Sequence, residues 1–211
     1  MKKLTSLDLS ANTELETLSC YWNVFESLNL TNNTQLKTLY YSADPYNSKM
    51  SQSLDFSKNT LLETFTYSYT EAETLDVSHL TNLQHLVCTN NPSMTEILFG
   101  DKNTNLTELE CNTNKLTSLD LSKLTNLTKI SCYDNQLSTL DISRLSKLST
   151  ESWNVEVGNQ KDKSIEYEYT DLELTLTLTA SQDVIWTNSW GSNNKNYNVK
   201  FNVLSNSSTD E

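Results

Sequence analysis

The sequence predicts a right-handed solenoid, mostly β with little helix, built of about seven 21-residue coils and closed by a β-rich C-terminal cap. Three observations carry this. Cys20, Tyr41, Tyr67, Cys88, Cys111, Cys132 and Trp153 recur at intervals of 21, 26, 21, 23, 21 and 21 residues. A second column, Leu9, Leu30, Phe56, Val77, Phe99, Leu121 and Ile142, runs in parallel at 21, 26, 21, 22, 22 and 21. Leu, Thr, Ser and Asn supply more than half of the chain, while Gly occurs three times and Pro twice, a repeat bias foreign to ordinary enzymes.

The physics of one unit follows from its spacing. The cleanest copies read LTELECNTNKLTSLDLSKLTN from Leu106 and LTKISCYDNQLSTLDISRLSK from Leu127. In Leu109-Glu110-Cys111 the period-2 alternation sends Leu and Cys inward and Glu to the other face, so each unit lays down one short strand. Stacked units make a parallel sheet. Asn23, Asn91, Asn114 and Asn135 fall where the chain leaves the strand, and a buried amide there satisfies backbone groups that no strand partner reaches. The pairs Leu119/Leu121 and Leu140/Ile142 return along the opposite wall, followed by Ser122 or Ser143 as caps of a brief turn. Some ten residues leave no room for a long helix. Seven strands at roughly 4.8 Å give a stack about 30 Å long, with a shallow inner sheet, a narrow convex wall and mild curvature.

These residues resemble the leucine-rich repeat family. Its signature LxxLxLxxNxL matches Leu106, Leu109, Cys111, Asn114 and Leu116, and again Leu127, Ile130, Cys132, Asn135 and Leu137. The resemblance spans about residues 4 to 156. The 21-residue length, Cys in place of the third Leu, and the LDLS half-repeats are similar to the cysteine-ladder, internalin J-like subgroup of bacterial surface repeat proteins. Some units depart from the pattern. Tyr or Trp replaces Cys in three, Asp44, Thr70 and Glu156 occupy the Asn position, and Glu151 stands where a core Leu belongs.

The expected division is a solenoid over 1–156 and a β-rich cap with a tail over 157–211. Leu172, Leu174, Leu176 and Leu178 alternate with polar residues, as do Tyr197, Val199, Phe201 and Val203, and Ile165, Tyr167 and Tyr169 suggest a third strand. Between them Ser181 opens a short helical stretch with Trp186 and Trp190 as packing anchors, closed by Gly191. SNSSTDE reads as a frayed tail. The stretch ADPYNSKMSQ, bearing Pro45, Tyr46 and Met50, holds a five-residue insertion that should bulge from one edge. The chain opens at Lys3-Leu4 in the second half of a unit, with no polar segment over the coil edge, so a fragment of a longer protein is expected.

Charge and motif searches exclude several functions. A net charge of −12 without a Lys/Arg cluster opposes binding to nucleic acid or anionic lipid. No apolar run approaches the roughly 20 residues of a membrane helix, and Asp8 interrupts what would be the apolar core of a secretion signal. Cys88 and His85 fall on opposite faces of one strand, and His79 is the only other imidazole. With no CxxC, HExxH or Gly-rich phosphate loop, neither catalysis, a metal nor a cofactor is expected. Cys88, Cys111 and Cys132 read as reduced, buried thiols, since side-by-side Cβ vectors suit a disulfide poorly. Asp8, Asp55, Asp76, Asp120 and Asp141 form an outward column held by hydrogen bonds to nearby Ser, Thr and backbone groups or bridged by a cation.

The exposed inner sheet is the expected ligand face. It offers Tyr21, Trp22, Tyr40 and Tyr69 in its first half, then His85, Glu108, Glu110, Lys129 and Tyr133. Exposed Tyr and Trp give large contact area at small entropic cost. The resemblance implies a non-catalytic binding scaffold of a bacterial surface or secreted protein that engages a protein or glycan. The alternative is a passive spacer with no ligand of its own.

Overall fold

The computed structural model describes residues 3–46, 54–148, 155–157, 161–162, 170–171, 174–179 and 199–204. Seven strands form one parallel sheet: β1 (Thr17–Asn23), β2 (Thr38–Ala43), β3 (Thr64–Ser68), β5 (His85–Val87), β7 (Glu108–Glu110), β8 (Lys129–Ser131) and β10 (Val155–Glu156). Each pairs with the next in the series, which is the stacked-coil solenoid the spacing predicts. The opposite wall holds β4 (Thr74–Asp76), paired in parallel with β6 (Glu96–Leu98), and β9 (Thr139–Asp141). The one helical element among the described residues is a 3-10 turn at Asn103–Asn105.

Between the two walls the core is a set of repeated columns. Leu36, Leu62, Leu83, Leu106 and Leu127 are fully buried, as are Leu39, Phe65, Leu86, Leu109 and Ile130. Burial of one such side chain contributes about 1.5–3 kcal/mol, so each coil's apolar set is what makes its neighbour's stable. The ladder column also lies inside. Cys20 pairs across the sheet with Tyr41, and Tyr41 with Tyr67. The two tyrosine rings stack with centroids 5.9 Å apart, so aromatic area fills the coils where sulfur is absent. Cys88, Cys111 and Cys132 are reduced thiols and fully buried.

The turns out of the strands are tied by asparagine. Asn114 donates to the carbonyls of Cys88 and Cys111, both at 2.8 Å, and accepts from Asn91 N–H at 2.9 Å. Asn135 repeats the pattern toward Cys111 and Cys132. Where the Asn position holds Thr70, its N–H and hydroxyl both donate to Asn91 Oδ1. Where it holds Asp44, a buried carboxylate, Lys3 supplies the counter-charge. On the opposite wall the brief turn is capped from within. Asp8, Asp55, Asp76, Asp120 and Asp141 each accept the N–H of the Ser two residues on, at 2.9–3.0 Å. Asp, not Ser122 or Ser143, is therefore the capping acceptor, with the serine as donor.

A second amide ladder, absent from the sequence reading, runs behind this turn. Asn33 donates to the carbonyls of Leu9 and Asn12, Asn59 to those of Leu30 and Asn33, and Asn103 to those of Val77 and Leu80. Asn103 also accepts from Gly100 N–H at 2.6 Å. A Cβ at Gly100 would lie 2.8 Å from the Ser78 carbonyl, so the close approach of these two coils requires glycine there.

The last coil departs from the expected register. Val155 pairs with Ile130 and Glu156 with Ser131, so the buried Val157 follows as Cys132 follows Ile130. The ladder interval there is 25 residues rather than 21. By backbone register Val157, not Trp153, takes the last ladder position, Glu156 pairs with Ser131 and so is not in the Asn column, and Val155 takes the position assigned to Glu151. The shift brings Val157 to a fully buried position in the ladder column.

Beyond the sheet, β11 (Lys161–Asp162) pairs antiparallel with β12 (Thr170–Asp171). β13 (Leu174–Thr179) pairs in parallel with both β9 and β14 (Val199–Leu204), so the two alternating segments extend the convex wall. Met50, Glu151, Trp153, Ile165, Tyr167, Tyr169, Leu172, Ser181, Trp186, Trp190, Gly191, Tyr197 and the terminal SNSSTDE lie outside the described residues.

Candidate ligand-binding face

The register of the inner sheet sets out the exposed face in rows. One row runs Thr17, Thr38, Thr64, His85, Glu108 and Lys129, and the next Ser19, Tyr40, Thr66, Val87, Glu110 and Ser131. Alternation places both rows on the side away from the core. Tyr21 continues the outward face of β1 and lies 5.8 Å from Tyr40, centroid to centroid, in a stacked pair. Tyr21 and Trp22 are exposed, while Tyr40, Tyr69, His85, Glu108, Glu110, Lys129 and Tyr133 are half-buried.

These nine expected contacts do not form one cluster. Tyr21, Trp22 and Tyr40 gather at the β1–β2 end. Tyr69 leans against the core as well as facing outward. Further along, His85 Nδ1 stands 3.7 Å from Glu108 Oε2, and Lys129 Nζ donates to Glu110 Oε1 at 2.5 Å. Glu110 is therefore paired with Lys129 and its carboxylate is less available to an incoming cation.

A further column was not legible as such. Trp22, Tyr69, Asn90, Thr113 and Asp134, each two residues past a ladder residue, have φ of 56°, 58°, 59°, 59° and 54°. This left-handed region suits Asn and Asp and disfavours bulky side chains by about 1–2 kcal/mol. Asn90 and Asp134 fit it; Trp22, 65% exposed, has little burial to offset the strain. In β1 the left-handed residue makes a bulge, since Tyr21 pairs with Ser42 and Asn23 with Ala43, and the bulge turns Trp22 outward.

Beside the sheet, along the edge where chains enter their strands, lies an open groove of about 460 Å³. One wall is Gln84, Thr107 and Thr128, the other Asn82, Asn105 and Asn126, with Glu63 and Lys147 completing the lining.

The shifted groups are governed by burial and by local hydrogen bonds. Burial pushes the thiols of Cys20 and Cys132 up to about 12 and raises those of Cys88 and Cys111 as well. These sulfurs are held as neutral thiols, the opposite of activated nucleophiles. The Ser hydrogen bonds hold Asp8, Asp55, Asp76 and Asp120 below the usual carboxylate range. Among the described residues no three His, Cys, Asp or Glu side chains gather as a metal-ligand set.

The arrangement of ladder, strand and turn has close structural parallels. The functional domain of InlJ from Listeria monocytogenes, which includes a cysteine ladder, superposes with a TM-score of 0.63 at 27% identity, over 84% of this chain and 39% of that one. The fold is that of the internalin-like leucine-rich repeats. An internalin, InlF, from the same organism matches with a TM-score of 0.58 at 21% identity, over 93% of this chain and 58% of that one. The internalin-like solenoid described here thus spans only part of the length of either structure. No family model matches the sequence, and no curated protein sequence does. Among the described residues no helix is long and apolar enough to cross a membrane.

Proposed function

We propose that this chain is a non-catalytic binding scaffold of a bacterial surface or secreted protein, and that it engages a protein or glycan through its inner sheet. One observation carries the reading: Tyr21 and Tyr40 stack on the outward face of a sheet whose other side is packed into the core, and the exposed Trp22 is next in the chain after Tyr21. Aromatic area left in water at one end of a rigid face is available for contact without reorganisation. The likeness to internalin-like repeats supports a binding role and a surface setting. The ladder thiols are neutral and buried, and the imidazole of His79 stacks on Phe56 at 5.5 Å, so neither is placed as a nucleophile or base toward a ligand on that face.

Replacing Tyr40 and Tyr69 with Ala and measuring binding to panels of host proteins and glycans tests this. Loss of a wild-type interaction on either panel supports the inner sheet as the ligand face and names the ligand class. Absence of any wild-type binding on both panels favours the passive spacer instead.

A further inference from the structure

We infer that the groove along the strand-entry edge is a second binding site, separate from the aromatic face, and that it takes a linear, neutral, hydroxyl-rich glycan. The groove is lined by residues of successive coils, and none of the lining side chains is aliphatic or aromatic. A lipid or an apolar ligand would therefore find no aliphatic or aromatic pocket there, and specificity must come from hydrogen bonds.

The hydrogen bonds already present decide what is left to offer. Asn105 and Asn126 donate to the carbonyls of Thr81 and Thr104 at 2.9 and 2.5 Å, and Asn82 reaches the Thr60 carbonyl at 3.5 Å. On the facing wall the Thr107 and Thr128 hydroxyls donate to the carbonyls of Gln84 and Thr107. One N–H of each asparagine amide and both threonine hydroxyl hydrogens are thus committed to the fold, which leaves the second amide N–H groups as donors and the amide and hydroxyl oxygens, with the Glu63 carboxylate, as acceptors for sugar hydroxyls. Lys147 closes one end, its ammonium on Asn126 Oδ1 at 2.6 Å.

An extended peptide is the poorer fit. Strand addition needs open main-chain groups, but the carbonyls of Glu63, Gln84 and Thr107 each already accept two N–H groups from the next coil. Nor does the groove offer apolar pockets for alternate side chains. A sugar chain instead presents hydroxyl donors at every unit, and the acceptors recur once per coil, roughly every 4.8 Å. A polymer of pyranose rings repeats at a comparable interval, so one ring can address each coil.

The test titrates the whole chain with soluble neutral hexasaccharides of glucose, mannose, galactose and N-acetylglucosamine, following backbone amide shifts by NMR and affinity by calorimetry. Shift changes at Gln84, Asn105 and Thr107, with affinity falling at least tenfold in Gln84→Ala and Asn105→Ala but unchanged in Tyr40→Ala, support the site. Both groove variants replace exposed side chains, and the wild-type shift map stands even if one folds poorly. No saccharide bound at millimolar concentration overturns the proposal. So does binding that is lost in Tyr40→Ala and kept in the groove variants, which would place the sugar on the inner sheet, or groove shifts produced only by an uncharged Ser/Thr peptide.

Discussion

Asn114 Nδ2 donates to the carbonyl of Cys88, one coil earlier, at 2.8 Å. The same amide group also satisfies Asn91 N–H and shares Cys111 O with Asn135, so three buried main-chain groups are tied to one side chain. Asn114→Ala removes that partner from Cys88 O and Asn91 N–H in a dry interior, and each orphaned group costs about 1–3 kcal/mol before relaxation. Chemical denaturation should show a loss of about 3 kcal/mol or more for Asn114→Ala. Asn112→Ala, at a half-buried position on the outward face, should cost under about 1 kcal/mol; equal losses would contradict the ladder's role.

Trp22 at φ 56° and 65% exposed is a strained residue with little packing to lose. Trp22→Asn should raise stability by about 1 kcal/mol, a gain in Tm of about 2–4 °C for a chain of this size. Calorimetry measures it. A fall in Tm would mean that the indole contributes more packing than its exposure indicates. Under the proposed function the same substitution weakens ligand binding, a trade of activity for stability.

The four thiols carry raised pKa values because burial disfavours the thiolate. In the unfolded chain they ionise near 8.5, so between about pH 8.5 and the folded values the native state holds more protons and stability falls as pH rises. Alkaline denaturation should begin in that window and shift upward when Cys111 and Cys132 become Ala or Val. Under native conditions at pH 8 a disulfide reagent such as DTNB should modify Cys88, Cys111 and Cys132 only as fast as the coils open. Prompt reaction of all four would contradict the burial described here.

At the acid end the sign reverses. Asp8, Asp55, Asp76 and Asp120 have lowered pKa values, first through the hydrogen bonds from the following Ser. Their contribution is complete above the unfolded value of about 3.9 and is lost as pH falls through the folded values. Replacing Asp120 with Asn keeps an acceptor for the Ser122 N–H but removes the charge. Asp120→Asn should therefore flatten the acid limb of a Tm-against-pH curve while changing Tm at pH 7 by less than Asp120→Ala does.

How much of this was legible in the sequence depends on whether a residue's role repeats. Cys111, Cys132, Asn114 and Asn135 recur in register because every coil must solve the same packing and main-chain problem, so period alone exposes them. The Asn33–Asn59–Asn103 ladder was not seen, since Leu80, Leu124 and Leu145 stand at the corresponding turn of other coils and hide the column. The final coil was misread because the interval from Cys132 lengthens, and a fixed period carried Trp153 into a place that Val157 fills. The left-handed column leaves only a faint mark in Asn90 and Asp134, because Trp22 and Tyr69 defy the preference that would have revealed it. The edge groove was invisible for another reason: Asn82, Gln84 and Asn105 read as ordinary solvent-facing polar residues until the stacking sets them side by side.

The parallel pairing of each strand with its successor has a mechanical consequence. Tension applied along the stack meets one row of bonds at a time, so the molecule should lengthen by peeling, rung after rung, at modest force. Shear applied along the strands loads the whole sheet together. A tether pulling on the two ends of such a chain would find it a compliant spring, and one gripping it across the rungs would find it stiff.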